Sequence, residues 1–149
     1  MDIRDPDVTS RIMAAVKSKN SKAELRLRRT LFARGFRYRV NYDKLIGHPD
    51  IVFPGSHVVI FVDGDFWHGN AWRLRGMASF DEQFHFKSRP EFWRAKILRD
   101  MERDREVNEM LSAAGWRILR LWESDVLKDV ENCASRVVAF LRDASLESC

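Results

Sequence analysis

Two apolar runs dominate the pattern of the chain: Ile51-Val52-Phe53 and Val58-Val59-Ile60-Phe61-Val62. Both are rich in β-branched and aromatic residues, and they meet at Pro54-Gly55-Ser56, so the pattern predicts two adjacent strands with a tight connection. The second run has almost no polar interruption. A half-covered strand alternates, whereas a continuous apolar one belongs in the middle of a sheet with both faces covered. Polar residues appear only at the ends of the pair: Asp50 before the first strand, and Asp63, Asp65 and His68 after the second.

The rest of the chain supplies helices around this pair. Asp7 to Ser10 offers an N-cap for a short helix over about residues 7–19, with Ile12, Ala15 and Val16 as its apolar stripe and Met13 off it. Ser21-Lys22-Ala23-Glu24 has capping-box form, and Leu27 and Leu31 follow at helical spacing until Gly35. Phe36 to Val40 alternates apolar and basic residues, as a half-exposed strand does, and Asn41 to Leu45 reads as a loop. Between Gly69 and Lys87 there is no period, only Trp72, Arg73, Arg75, Phe80, Phe84 and Phe86 among small and polar residues; so long an irregular stretch is either functional or mobile. Ser88-Arg89-Pro90-Glu91 then combines a capping box with Pro in the first turn, which predicts a long helix to Gly115. Ile97, Met101, Asp104, Asn108 and Leu111 share one of its faces. Trp116 to Trp122 predicts another strand, and Ser124-Asp125 opens a C-terminal helix over about residues 125–145. Val130, Ala134, Val137 and Leu141 mark its buried side, with Cys133 beside them as a small hydrophobe. This order predicts one α/β domain over residues 1–149, with a mixed central sheet flanked by helices, and 149 residues leave room for one core.

Composition narrows the setting. No apolar run reaches membrane-spanning length and the first residues lack a signal-peptide pattern, so a cytoplasmic protein with no membrane partner is expected. The two cysteines, Cys133 and Cys149, have no partner at metal-ligand spacing, which excludes a disulfide framework and a zinc cluster of their own. The net charge of +4 is unevenly spread. Lys17, Lys19, Lys22, Arg26, Arg28, Arg29, Arg34, Arg37 and Arg39 face only Glu24 in their stretch, and such a field attracts polyanions, nucleic acid above all. Arg73 and Arg75 among aromatics fit the same partner, since one side-chain type binds phosphate and the other stacks on bases.

The candidate chemistry lies at the ends of the paired strands. Carboxylates and an imidazole delivered to one spot suit a hard divalent cation beside a proton-transfer group. Each residue alone has a plainer reading: an Asp before a strand is often a turn residue, Glu24 a helix cap, and His68 a packed side chain. The case rests on Asp50, Asp63 and His68 occurring on one hairpin. Asp104 interrupts the apolar face of its helix, and a carboxylate turned inward needs a partner. His68 is the partner expected, with an ion pair to a nearby Arg as the alternative. An imidazole titrates near neutrality, and an acid behind it fixes its tautomer.

Gly47-His48-Pro49-Asp50-Ile51, the second strand running into Asp63-Gly64-Asp65-Phe66-Trp67-His68, Glu91-Phe92-Trp93, Glu102-Arg103-Asp104-Arg105, Gly115-Trp116-Arg117 and Leu121-Trp122-Glu123 together resemble the Vsr (very short patch repair) DNA endonuclease family, in order, from about Ser10 to Glu123. The resemblance implies a restriction-endonuclease-like core and Mg²⁺-dependent hydrolysis of one phosphodiester bond at mismatched, T·G-like, or specific sites in double-stranded DNA. It implies Asp50 as metal ligand, the Val62 backbone near the metal, His68 as general base, Asp104 behind it and Glu24 in support. Asp63 stands where some members have His, as a further candidate ligand or a charge that repels Asp50. Met13, Phe66 and Trp67 become wedges into the base stack, an intrusion less costly at a mismatch. Zinc-bearing members carry Cys or His where this chain has Asp65, Asn70, Trp72 and Ser124, so no structural zinc is expected. A monomer, a nucleoid location and a link to a DNA cytosine methyltransferase or repair proteins complete the expectation. A restriction-like defence nuclease, a DNA-binding module that has lost turnover and, more weakly, an RNA-directed nuclease are the alternatives.

Overall fold

The computed structural model describes residues 21–65, 70–74, 76, 77, 79–84 and 89–147. The long apolar run forms strand β2 (Val58–Asp63) at the centre of a three-stranded sheet, between β1 (Ile51–Phe53) and β3 (Arg117–Trp122). β1 pairs with it antiparallel, Ile51 opposite Ile60, and β3 pairs parallel, Phe61 opposite Arg120 and Asp63 opposite Trp122. Every β2 residue but Val62 is buried, as an uninterrupted apolar strand requires. The turn between β1 and β2 is a single 3₁₀ turn over Pro54–Ser56 that ends on His57 in the left-handed region.

Alternation along the strands separates two cores. On one face Ile51, Phe53, Val58, Ile60 and Leu121 meet helix α1 (Lys22–Ala33), through Leu27 and Leu31, and two C-terminal helices, α4 (Glu123–Lys128) and α5 (Val130–Glu147). On the other face Val52, Val59 and Phe61 meet Val107 and Leu111 of the long helix α3 (Pro90–Ala113). Each such side chain withdrawn from water contributes roughly 1.5–3 kcal/mol, so the sheet is held between two helical layers rather than on one. Gly47 lies close under α3: at φ +82 it avoids left-handed strain, and a Cβ there would come within 2.6 Å of Val107.

The helix ends follow the chemistry read from the sequence. Ser21 Oγ accepts the Glu24 backbone N–H at 3.2 Å, and α1 closes with Phe36 N donating to Leu31 O across Gly35 at φ +95. α3 closes in the same way, with Trp116 N donating to Leu111 O.

Four local expectations need correcting. The strand expected over Phe36 to Val40 is a single bridge, Arg39 to Val52, because β1 is only three residues long and offers little edge. α3 begins at Pro90 as predicted, but its cap is Arg89, left-handed at φ +60 and without a side-chain hydrogen bond. The C-terminal helix is broken at Asp129, which leaves helical geometry and accepts the Asn132 backbone N–H on Oδ1 at 3.0 Å, capping α5. Met101 is 39% exposed, since the buried residues of α3 fall in two patches: Ile97 against Phe84, and Val107 with Leu111 over the sheet. The irregular stretch after Gly69 contains helix α2 (Ala71–Leu74) and a 3₁₀ turn, Asp81–Phe84, that buries Gln83 and Phe84. The helix expected over about residues 7–19 lies outside the described residues.

Candidate active site

Asp50 is a bend residue immediately before β1, held to the sheet by its N–H, which donates to Ile60 O at 3.0 Å. This sets its carboxylate beside the end of β2, where Oδ2 accepts the Val62 backbone N–H at 2.7 Å. The residue the sequence singled out and the backbone expected near a metal are therefore in direct contact. Glu24 arrives from the first turn of α1, 3% exposed, and its carboxyl stands close enough to Asp50 to hydrogen-bond with it. Burial first, then the charge of Glu24, pushes the Asp50 carboxyl up from the usual range to about 8, against the opposing effect of the Val62 N–H. Arg28, one turn along α1, donates to Glu24 Oε2 at 2.9 Å and reaches the Asp50 carbonyl at 3.5 Å. Arg28 thus bonds one acid through its carboxylate and the other through its backbone carbonyl.

On the opposite face of the sheet lies a second charged group. Asp63 shares its face with Phe61, and Arg120 of β3 donates Nη1 to both its oxygens at 2.9 and 3.1 Å. The same Nη1 stands 3.5 Å from Asp104 Oδ1 on α3, and Nε donates to Asn108 Oδ1 at 2.8 Å. Asp104 therefore meets an arginine, the alternative considered for it, but one on a neighbouring strand rather than on its own helix. Asp63, Asp104 and Arg120 line an open cleft of about 270 Å³ with Met101, Leu121 and Trp122, between the two apolar patches of α3.

The match to known proteins is extensive. The family model described as DNA mismatch endonuclease Vsr matches residues 1–74. The type II nicking enzyme V.NmeDIP of Neisseria meningitidis serogroup C is 41% identical over 143 residues, which cover 96% of this chain and 92% of that protein. V.HpaIIP of Haemophilus parainfluenzae, another type II nicking enzyme, is 41% identical over 88% of this chain and 89% of its own length. The DNA mismatch endonuclease Vsr of Escherichia coli K12 is 34% identical over 82% of this chain and 73% of its own. The chain belongs to the Vsr endonuclease family.

Within this Vsr chain, three of the four positions at which no zinc is expected are joined by hydrogen bonds. Asp65 Oδ1 accepts from Asn70 Nδ2 at 2.8 Å and from Ser124 Oγ at 2.8 Å, while Oδ2 accepts the Ser124 backbone N–H at 3.0 Å. Trp72, the fourth, is partly exposed under the Arg73 guanidinium. Asp65 so ties the end of β2 to the start of α4. Glu123, also at that start, has its carboxyl raised by burial and then by the charges of Asp65 and Glu24.

Of the residues named from the sequence, the fold brings Glu24, Asp50 and the Val62 backbone to one point and Asp63 and Asp104 to Arg120, with the Asp63 charge still near enough to raise the Asp50 carboxyl. Arg73 is exposed. His68, Phe66, Trp67, Met13, Lys17, Lys19 and Arg75 lie outside the described residues. Arg28 and Arg120 were missed as individual residues. For Arg120 the signal was available, a cation set between Leu119 and Leu121 in the middle of a strand; for Arg28 it was the i, i+4 spacing to Glu24. Among the described residues no three His, Cys, Asp or Glu side chains form a ready metal cage, so the fit to a cation rests on the carboxyl pair. That pair does fit: a buried Glu24 and a partly buried Asp50 set side by side are relieved by a hard cation on the oxygen side.

Proposed function

We propose that this Vsr-family chain is a Mg²⁺-dependent nicking endonuclease that hydrolyses one phosphodiester bond in duplex DNA, at mismatched, T·G-like, or specific sites, on a restriction-endonuclease-like core. The observation that carries the reading is the Asp50 carboxylate, anchored on the Val62 amide and short of positive charge beside Glu24. Asp50, with Glu24 in support and the Val62 backbone and Asp63 near at hand, would hold the divalent cation. The cation supplies charge stabilisation at the phosphate and an acidified water. The protein's part is to fix that site: the Val62 N–H orients Asp50, and Arg28 keeps Glu24 from turning away. His68, three residues beyond Asp65, is assigned the role of general base, and Asp104 that of the acid that holds its orientation. Met13, Phe66 and Trp67 are assigned to the base stack, and Lys17, Lys19, Arg73 and Arg75 to phosphates.

The similar proteins named as nicking enzymes and as a mismatch endonuclease support a single-strand cut and a DNA substrate. No helix among the described residues is long and apolar enough to cross a membrane. A cytoplasmic, nucleoid-associated monomer, functionally linked to a DNA cytosine methyltransferase or repair proteins, is the setting that goes with this reading.

The test is incubation with matched and mismatched duplexes, in Mg²⁺ and in chelator. Nicking of a mismatched class in Mg²⁺ alone, lost in Asp50→Asn and His68→Ala with binding kept, is the expected result. Cleavage of matched sites only points to restriction-like defence. Salt-sensitive binding with no cleavage of any duplex reduces the chain to a DNA-binding module and ends the enzymatic reading.

A further inference from the structure

Arg120 is the one charged residue at the cleft that the nicking scheme leaves without a task, and it stands where three elements meet. It occupies an otherwise apolar stretch of β3, directly opposite Phe61 of β2, and its guanidinium carbon lies 4.0 Å from the centre of that ring. With its planar face occupied by an aromatic ring, an arginine recognises oxygen atoms through its N–H edge. That edge meets Asp63 on β2, Asp104 on α3 and Asn108 one turn further along α3. The side chains of Arg120, Asp63 and Asp104 are 19%, 10% and 23% exposed, so water screens them little and their mutual charges act at close range. Two carboxylates this near repel each other unless a cation fixes their separation. The guanidinium does so from both sides at once. Its Nε bond to Asn108 sets the rotation of the fork, and its Nη1 then stands at the one place where both acids reach it.

We infer that Arg120 is a positioning residue for strand scission, fixing the Asp63 and Asp104 carboxylates in one mutual orientation at the wall of the cleft. The inference rests on the nicking activity proposed above. A lysine at this position keeps the charge but has no fork, so it can neutralise the acids without setting their geometry.

The experiment compares Arg120→Met and Arg120→Lys with the wild-type chain. It reads the single-turnover nicking rate at saturating protein in Mg²⁺, the Kd for the same duplex in chelator, and the melting temperature. The expected result is a cleavage rate about 100-fold lower in Arg120→Met, the size of loss that follows from about 1 Å of misplacement. Kd should stay within about threefold of wild type, and Arg120→Lys should fall between the two. Four results would overturn it. The first is a Met variant that nicks within about threefold of wild type. The second is a loss that appears wholly in Kd, which makes Arg120 a phosphate contact. The third is a fall in melting temperature with an unchanged rate per folded molecule, which makes it structural. The fourth is a wild-type chain that nicks no duplex, which removes the parent reading as well. Should Arg120→Met not fold, Arg120→Lys carries the test: a roughly tenfold lower rate at unchanged Kd supports the inference, and a wild-type rate refutes it.

Discussion

The two faces of the sheet carry two groups of acids, and they are balanced differently. On the α3 side Asp63 and Asp104 share Arg120, which touches both and is itself braced by Asn108 and Phe61. On the α1 side Arg28 bonds the Glu24 carboxylate and reaches the Asp50 carbonyl, while burial first and then the Glu24 charge push the Asp50 carboxyl up to about 8. One group brings its cation with it; the other is left wanting one. That difference, more than the presence of acids, favours the α1 side as the place for an external cation, with the α3 side as the frame that holds Asp63 beside it.

The largest effect that would break the comparison is on activity. Asp50→Asn keeps the acceptor for the Val62 N–H but removes the charge, and nicking in Mg²⁺ should fall about 10³-fold, as it should for the wild type in chelator. A gel assay on a nicked-circle substrate reads both, and substantial residual cutting would move the cation to the other face. Next comes Arg28→Met, which strips the Arg28 guanidinium from the buried Glu24 and should cost about 3 kcal/mol in urea unfolding, because breaking a buried pair by removing one partner leaves the other's charge uncompensated.

A third prediction concerns pH. The folded Asp50 carboxyl titrates well above its unfolded value, so its contribution to stability is present below about pH 4 and is lost as pH rises towards about 8. In chelator Asp50→Asn should therefore match the wild type near pH 4 and exceed it by a few kcal/mol above pH 8. Parallel stability curves for the two proteins across that range would show that Asp50 is not short of charge. Smallest, Ser21→Ala removes the cap that starts the helix carrying Glu24 and should cost about 1 kcal/mol by the same unfolding measurement.

Much of this comparison was legible beforehand. The unbroken apolar run of β2 announced a central strand, Ser21 and Glu24 announced the start of α1, and Asp50 before the hairpin announced a carboxylate at its end. Local chemistry decides each of these, which is why the pattern carried them. The partners of Arg120 were not legible, because it meets Asp104 and Asp63 only after β3 is laid parallel to β2 and α3 is folded over both. The break at Asp129 could have been read, since Asp three residues before Asn132 is an ordinary helix cap. The shortness of the Arg39 pairing could not, because it depends on how little of β1 is left to pair with.

The contact between Asp65 and Asn70 has an engineering consequence. Asn70 N donates to Asp65 O at 2.7 Å and the side chains meet at 2.8 Å, so the two ends of the intervening four-residue segment are clipped together at its root. Substitution of Asp65, Asn70 or Ser124 should therefore loosen the junction between β2 and α4. A variant library aimed at altered site preference should leave these three residues untouched, and His68 with them, since the role of general base is assigned to it.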